Sequence, residues 1–182
     1  MKKYVWILGL VLLVSCKSGQ DAVTQRNSEA TKSLVENGDY EIQLAWARPL
    51  MTNELAQLGN SNLLPFESRA GRINLIGSAS YVKKKGDSLE VYLPYYGTRQ
   101  MAPKVGGYND AAIEFKGVPE DYTVEYNERK NRTEVNFKMK EGTEKYNVNM
   151  TITGSKRATV RVYSTQRTSI SYTGELGPNS GD

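Results

Sequence analysis

The side chains that could support catalysis in this chain are carboxylates, because the sequence contains no histidine and a single cysteine. Two carboxylates that flank a glycosidic bond can serve as the acid and the base of its hydrolysis. No serine stands in the strand–turn–helix setting that an activated nucleophile requires. We therefore expect no catalytic residues, and a carboxylate-dependent hydrolase is the alternative. Its candidate acids lie in predicted turns or on polar strand faces, where solvated acids are common: Asp110, Glu114, Glu120 and Asp121.

The composition also argues against a metal site, a cofactor and a nucleic-acid partner. One cysteine without histidine provides no zinc ligand set, and Asn109-Asp110 is too sparse for a calcium loop. Without Lys2 and Lys3, the 24 basic residues fall to 22, against 20 acidic residues. This small surplus is not clustered on one face, as nucleic-acid binding requires. The longest basic run, Lys83 to Lys85, precedes the turn signal Gly86-Asp87 and predicts a solvated hairpin tip.

Cys16, the single cysteine, follows a short apolar segment. Residues 4–14 carry no charge, and these eleven residues are too few to span a bilayer as a helix. They suit the apolar region of a secretory signal peptide. Leu13-Val14-Ser15 before Cys16 resembles the bacterial lipobox, which implies cleavage before Cys16 and acylation of its thiol and new amino group. Two or three acyl chains hold a protein stably at a membrane.

These features predict where the protein resides. We expect a lipoprotein signal peptide over residues 1–15 and a lipidated tether over residues 16–23. Asp21 alone does not make the acidic run that directs some lipoproteins to the cell surface. The prediction is therefore a protein anchored in the cell envelope through Cys16, at the outer membrane and facing the periplasm.

Downstream of Asp39, apolar and polar residues alternate in about nine segments separated by turn residues, one of them spanning about 72–83. Such segments build antiparallel up-and-down sheets, which limit their edges by closing or by folding over. We predict a mainly β single domain over residues 24–176. Its architecture is a lipocalin-like small barrel of about eight strands or a two-sheet sandwich. A short helix over about 24–36, with Val23, Ala30 and Leu34 as its apolar stripe, precedes the sheet, and residues 177–182 form a disordered tail.

The most unusual segment is Leu93-Pro94-Tyr95-Tyr96-Gly97, followed by Ala102-Pro103. Pro94 ends a strand and Gly97 permits a positive φ, so the loop holds its tyrosines in a defined pose. Tyrosine offers contact area at low entropic cost, so this loop is a candidate binding surface. The 50–70 loop is a lid or a plug beside it, or its apolar residues close one end of the core. Alternatively, the same tyrosines close one end of the core and stiffen the loop. The candidate binding residues are Tyr95, Tyr96, Gly97, Arg99 and Tyr108.

Four arginines could pair with carboxylates beside this surface or remain solvated: Arg48, Arg69, Arg99 and Arg167. Asp87-Ser88-Leu89 matches a three-residue pattern for O-glycosylation in the periplasm of some bacteria, although Ser88 also suits the start of a strand.

Five segments of the sequence occur in a characteristic order: Ala47-Arg48-Pro49, Tyr81 to Asp87, Leu93 to Gly97, Ala102-Pro103 and Ser171-Tyr172-x-Gly174. This order resembles a domain-of-unknown-function family of small lipoproteins from Bacteroidota-type bacteria. The resemblance spans about residues 24–176 and implies an envelope location and a single domain, without an activity. Members often carry Phe-Gly-Arg where this chain has Tyr96-Gly97-Thr98, with Arg99 one step later.

Together these patterns predict a lipid-anchored envelope protein that binds a small molecule, a glycan, a peptide or another envelope protein. A structural or inhibitory partner of an envelope enzyme is a further alternative.

Overall fold

The computed structural model describes residues 18–58, 67–69, 71–100 and 111–179. Cys16, Tyr108, the Ala102-Pro103 pair and, within the predicted 50–70 loop, residues 59–66 and 70 lie outside these ranges. None of the described helices is long and apolar enough to cross a membrane. The described helices are the N-terminal helix Ser18–Glu36, the short helix Asn53–Leu58 and the 3₁₀ turn Glu128–Lys130. The strands are β1 Asp39–Pro49, β2 Ile73–Asn74, β3 Tyr81–Lys85, β4 Ser88–Pro94, β5 Ala112–Gly117, β6 Glu120–Asn127, β7 Arg132–Glu141, β8 Glu144–Thr153, β9 Arg157–Ser164 and β10 Ile170–Pro178.

The strands form one antiparallel sheet in the order β5-β4-β3-β1-β10-β9-β8-β7-β6, and β2 pairs beside β3 on β1. Only Val118 and Pro119 separate β5 from β6 in the sequence, yet these strands are at opposite edges of the sheet. The sheet must therefore curl until its edges approach each other. The prediction of a mainly β, antiparallel domain is confirmed; the sheet is a half-barrel, not a two-sheet sandwich.

One predicted strand and the predicted C-terminal tail differ from the structure. Strand 72–83 is interrupted, because β2 ends at Asn74 and β3 begins at Tyr81. The interruption lies beside a bulge in β1 between Leu44 and Trp46, where Ser80 Oγ donates to the Leu44 carbonyl oxygen at 2.7 Å. At the other end of the chain, Gly177 and Pro178 pair with β1 and so extend β10 into the predicted tail.

The concave side of the sheet is filled by the alternate side chains of the strands. Tyr40, Tyr146 and Tyr172 are fully buried there, which accounts for part of the chain's high tyrosine content. Lys84 also lies on the inner face, where Nζ donates to the Gly86 carbonyl oxygen and lies 4.9 Å from the ring centroid of Tyr122. A lysine in phase with apolar residues is thus buried rather than part of a solvated hairpin tip.

The N-terminal helix differs from its prediction in both length and buried face. It begins at Ser18, so residues 18–23, assigned above to the tether, are helical. Val23 is 57% exposed, whereas Ser28, Thr31 and Val35 are buried. The polar buried face is possible because Gly154 approaches it closely: a Cβ there would lie 3.0 Å from the Ser28 nitrogen. Small side chains therefore bring this helix closer to the sheet than an apolar stripe would allow.

Candidate functional site

Tyr95 turns back from the end of β4 and fastens two loops together. Its backbone N–H extends the ladder by donating to the Ala111 carbonyl oxygen at 2.8 Å. Its hydroxyl lies 2.9 Å from both the carbonyl oxygen and Oγ1 of Thr168, and 3.2 Å from the Thr98 carbonyl oxygen. The single phenolic proton of Tyr95 can be donated to only one of these carbonyl oxygens at a time, and the Tyr95 oxygen can accept a hydrogen bond from the Thr168 hydroxyl. Burial raises the pKa of Tyr95, so it remains a neutral hydrogen-bonding group.

Gly97 is required for space and not for a positive φ, contrary to the sequence prediction. A Cβ at this position would lie 2.5 Å from Cζ of Tyr95 and 2.6 Å from Oγ1 of Thr168. The folded-back tyrosine therefore occupies the volume that a side chain at position 97 would need. Pro94 takes part as well, because its carbonyl oxygen accepts a 3.0 Å hydrogen bond from the buried Tyr172 hydroxyl.

Residues 98–100 pair with residues 166–168 through a short antiparallel bridge. The Thr168 N–H donates to the Thr98 carbonyl oxygen at 3.0 Å, and the Gln100 N–H donates to the Gln166 carbonyl oxygen at 2.7 Å. The loop after β4 is thereby attached to the loop between β9 and β10.

A buried ion pair lies beneath this bridge. Glu144 and Arg167 are each 4% exposed, and Nε of Arg167 lies 3.0 Å and 3.2 Å from the two carboxylate oxygens. NH2 of Arg99 lies 3.4 Å from Oε2 of Glu144, and the Arg167 guanidinium lies 5.1 Å from the centroid of the Tyr95 ring. Ser164 Oγ also donates to Glu144. We call Tyr95, Arg99, Glu144 and Arg167 the rim cluster.

The structure brings three of the predicted site residues together at this end of the sheet. Tyr95, Gly97 and Arg99 belong to the cluster or contact it, while Tyr96 is half-buried against the core and Tyr108 lies outside the described residues. Arg99 and Arg167 do pair with a carboxylate, as one alternative proposed. The contacts favour the alternative in which Tyr95 closes the end of the core, because its hydroxyl is occupied by the protein itself.

Glu144 is the residue of this cluster that the sequence analysis missed. The alternation along β8 could have identified it, because Glu144 shares the inward face of the strand with Tyr146, Val148 and Met150. An acid in phase with buried residues indicates a buried charge that needs a partner. Burial is the main reason that the pKa of Tyr146 is raised, and the nearby negative charge of Glu144 adds to it. This phenol therefore also stays protonated.

An open groove lies between β5 and the turn that joins β7 to β8. Its volume is about 480 Å³. Tyr81 and Tyr92 stack there with ring centroids 6.3 Å apart, and the Tyr81 hydroxyl donates to Glu90 at 2.8 Å. That hydrogen bond to a carboxylate raises the pKa of Tyr81 to about 12. We call this the edge groove; its lining residues are Tyr81, Glu90, Val91, Tyr92, Glu114, Phe115, Lys116, Lys140, Glu141 and Gly142.

Two carboxylates meet in this groove, and one of them was a predicted candidate acid. Burial raises the pKa of Glu141, and the negative charge of Glu114 adds to the effect, while Arg167 and a hydrogen bond from the Glu114 backbone oppose it. Glu120 and Asp121 are exposed instead, and Asp121 pairs with Lys138 at 2.6 Å. Among the described residues, no group of acidic or cysteine side chains is arranged to hold a metal ion.

Comparison with known proteins gives the family. The model of a domain of unknown function, DUF4251, matches residues 22–176. This chain belongs to the DUF4251 family. The resemblance to a domain-of-unknown-function family is thereby confirmed. The DUF4251 domain is also similar to the crystal structure of a DUF4251 family protein from Bacteroides eggerthii, with a TM-score of 0.52 and 10% identity over 86% of this chain and 91% of the other. A search of curated proteins found no match.

The segments that carried the resemblance meet in the folded DUF4251 domain. Tyr172, from the Ser-Tyr-x-Gly piece, donates to the carbonyl of Pro94, from the Leu-Pro-Tyr piece. Gly174 faces β1, where a Cβ would lie 2.7 Å from the Cα of Leu44. In this chain, Tyr172 and Pro94 therefore contribute a hydrogen bond, and Gly174 permits the close approach of β10 to β1.

Proposed function

We propose that this DUF4251 domain is a lipid-anchored binding module of the cell envelope, without catalytic activity, and that the edge groove holds its ligand. The proposed anchor is Cys16, placed behind the signal segment described above, at the outer membrane and facing the periplasm. Lys17 alone separates Cys16 from the first residue of the N-terminal helix. An acyl anchor at Cys16 would therefore hold the folded domain close to the membrane surface.

Mass spectrometry of the protein purified from its native envelope tests the anchor. We expect a chain that begins at Cys16 and carries the added mass of two or three acyl chains, because one chain gives only marginal membrane binding. A Cys16→Ser variant should be neither cleaved at this position nor acylated. An uncleaved native chain with a free thiol would contradict the proposed location.

The observation that supports the edge groove as a ligand site is its pair of stacked tyrosines beside opposite charges. The Tyr92 ring is half-buried at the groove wall, so it offers an apolar face next to water. Glu90 and Lys116 are 3.0 Å apart at the same wall, Glu114 pairs in register with Tyr92, and Glu141 also lines the groove. Apolar walls with a few convergent polar groups are typical of small-ligand sites.

These side chains suit a ligand that bears hydroxyl and amino groups, such as a small glycan or an amino sugar. Carboxylates accept hydrogen bonds from hydroxyl and ammonium groups, and a tyrosine ring attracts a cation over its face. The rim cluster has a supporting role in this proposal, because it holds β8 and the loop after β4 in place next to the groove.

A binding screen with glycans and amino sugars tests the groove. We expect Tyr92→Ala to weaken the affinity for the best ligand at least ~10-fold, which corresponds to ~1.4 kcal/mol. Tyr126→Ala is the matched control, because Tyr126 on β6 is half-buried like Tyr92 but is not part of the edge-groove lining. Equal affinity of the two variants would contradict this site. If the screen stays empty while crosslinking in intact cells returns one protein, the structural or inhibitory alternative is favoured.

The raised pKa of Glu141 beside Glu114 is the one observation that favours a hydrolase. An acid with a raised pKa near a second carboxylate is the arrangement that glycoside hydrolysis uses. The same screen separates the two functions when the ligands are analysed for cleavage after incubation. Cleavage that is lost in Glu141→Gln would establish the enzyme and contradict a purely binding role.

A further inference from the structure

The outer faces of β1, β9 and β10 bring together two arginines that form no ion pair with any described carboxylate. Arg48 on β1 and Arg161 on β9 both pair in register with Ser171 on β10. The three residues thus form a row across three strands. With about 4.8 Å between neighbouring strands, the two arginine Cα atoms are roughly 10 Å apart, with Ser171 between them. Both arginine side chains are exposed.

No acid lies next to this row on these three strands. The outward neighbours on one side are Trp46, Thr173 and Thr159, and on the other side β9 has Tyr163. No ion pair within the described ranges involves Arg48 or Arg161. Arg157, the other outward arginine of β9, instead pairs in register with Glu175. Within the described part of the chain, no acid offsets the positive charge of the row, whereas Arg157 faces Glu175.

The row borders an open groove with a volume of about 340 Å³. Leu50 and Tyr163 are 56% and 46% exposed at its walls, so the groove combines apolar surface with the two guanidinium groups. The Ser171 hydroxyl donates to the Arg48 carbonyl oxygen at a long 3.4 Å, so exchanging that contact for a ligand oxygen would lose little. The lining residues are Arg48, Pro49, Leu50, Arg161, Tyr163, Ser169, Ile170 and Ser171.

We propose that this groove binds a phosphate group, with Arg48 and Arg161 each donating to its oxygens and the Ser171 hydroxyl donating between them. The planar guanidinium group donates two parallel hydrogen bonds to phosphate, and two arginines on either side of one serine can reach the same anion. The phosphate belongs either to a soluble phosphorylated compound or to the headgroup of an anionic phospholipid. This site is separate from the edge groove and does not depend on the function proposed there.

NMR of the arginine Nε–Hε signals of the full chain in a nonionic detergent tests the site. During titration with inorganic phosphate, the signals of Arg48 and Arg161 should shift and saturate, while that of Arg157 should not. The double variant Arg48→Met/Arg161→Met should bind phosphate at least ~10-fold more weakly, and Arg157→Met should bind as the natural chain does. All three positions are exposed, so folding should be unaffected.

A second titration distinguishes the sources of the phosphate. Short-chain phosphatidylglycerol and phosphatidylcholine are added to the same detergent sample at equal total concentrations, and the same signals are observed. Phosphatidylglycerol binding at least ~10-fold tighter than inorganic phosphate supports the lipid headgroup, and equal or weaker binding supports a soluble phosphate. The absence of a saturable shift at Arg48 and Arg161, or an equal shift at Arg157, would overturn the proposal.

Discussion

Replacing Glu144 by glutamine is expected to lower the free energy of unfolding by about 3–5 kcal/mol. The substitution keeps the shape of the side chain but removes the negative charge that faces the buried Arg167 guanidinium. A buried cation without a counter-charge is strongly destabilising, because the protein does not replace the lost hydration. Arg99 cannot compensate, since it carries the same charge as Arg167.

Urea denaturation followed by circular dichroism measures this effect, and Trp46 fluorescence gives a second signal. Glu134→Gln is the matched control, because Glu134 pairs with Arg132 at 2.6 Å while both side chains are 31% exposed. That partly solvated pair should contribute less than about 1 kcal/mol. The double variant Glu144→Leu/Arg167→Met should recover part of the loss, because it removes both buried charges. Equal losses for Glu144→Gln and Glu134→Gln would contradict a stabilising buried pair.

Gly174→Ala is expected to destabilise the domain by about 3 kcal/mol, at the upper end of the range for overpacking. The new Cβ would lie 2.7 Å from Cα of Leu44 and 2.8 Å from the carbonyl carbon of Gln43. Both atoms belong to the backbone of β1 at its bulge, where no side-chain rotation can relieve the contact. The strands must therefore separate locally.

Gly177→Ala provides the control within the same strand. Gly177 also pairs with β1, but nothing lies within 4 Å of a Cβ at that position. The stability of this variant should stay within about 0.5 kcal/mol of the natural chain. Thermal unfolding of the two variants under identical conditions measures the difference. Similar midpoints would contradict the prediction, because they would show that the β1 backbone moves away from the new Cβ at little cost.

The alternation of apolar residues predicts most of the sheet because a side-chain period of two is a direct consequence of the strand backbone. Tyr146 to Ile152 and Val160-Val162 follow it without a break. The prediction failed where a bulge shifts the period. After Leu44, the next buried residue of β1 is Ala47, and the partner of β1 changes from β3 to β2. A bulge depends on contacts with β10, which lies far away in the sequence.

The candidate site was predicted only in part, for a similar reason. Pro94 and Gly97 correctly predict that β4 ends there in an ordered turn. Its partner Thr168 carries no local signal, because the pairing of residues 98–100 with 166–168 arises from the tertiary structure. The stacked tyrosines of the edge groove do have a local signal. With Gly86-Asp87 as a two-residue turn, Tyr81 and Tyr92 lie opposite each other in the β3–β4 hairpin, although the sequence alone does not show that they line a groove.

The sheet order has a consequence for how the chain folds. Strands β6 to β10 form a meander, and among strands β1 to β5 the ladder with the longest sequence separation joins β1 to β3, as in Asp39 and Lys85. The β1–β10 ladder joins residues much farther apart in the sequence, such as Tyr40 and Pro178. Bringing its ends together requires closing a loop of most of the domain, a step whose entropy loss slows folding. Each half can therefore form early, whereas the β1–β10 ladder between them can form only after almost the entire domain has been synthesised or collapsed.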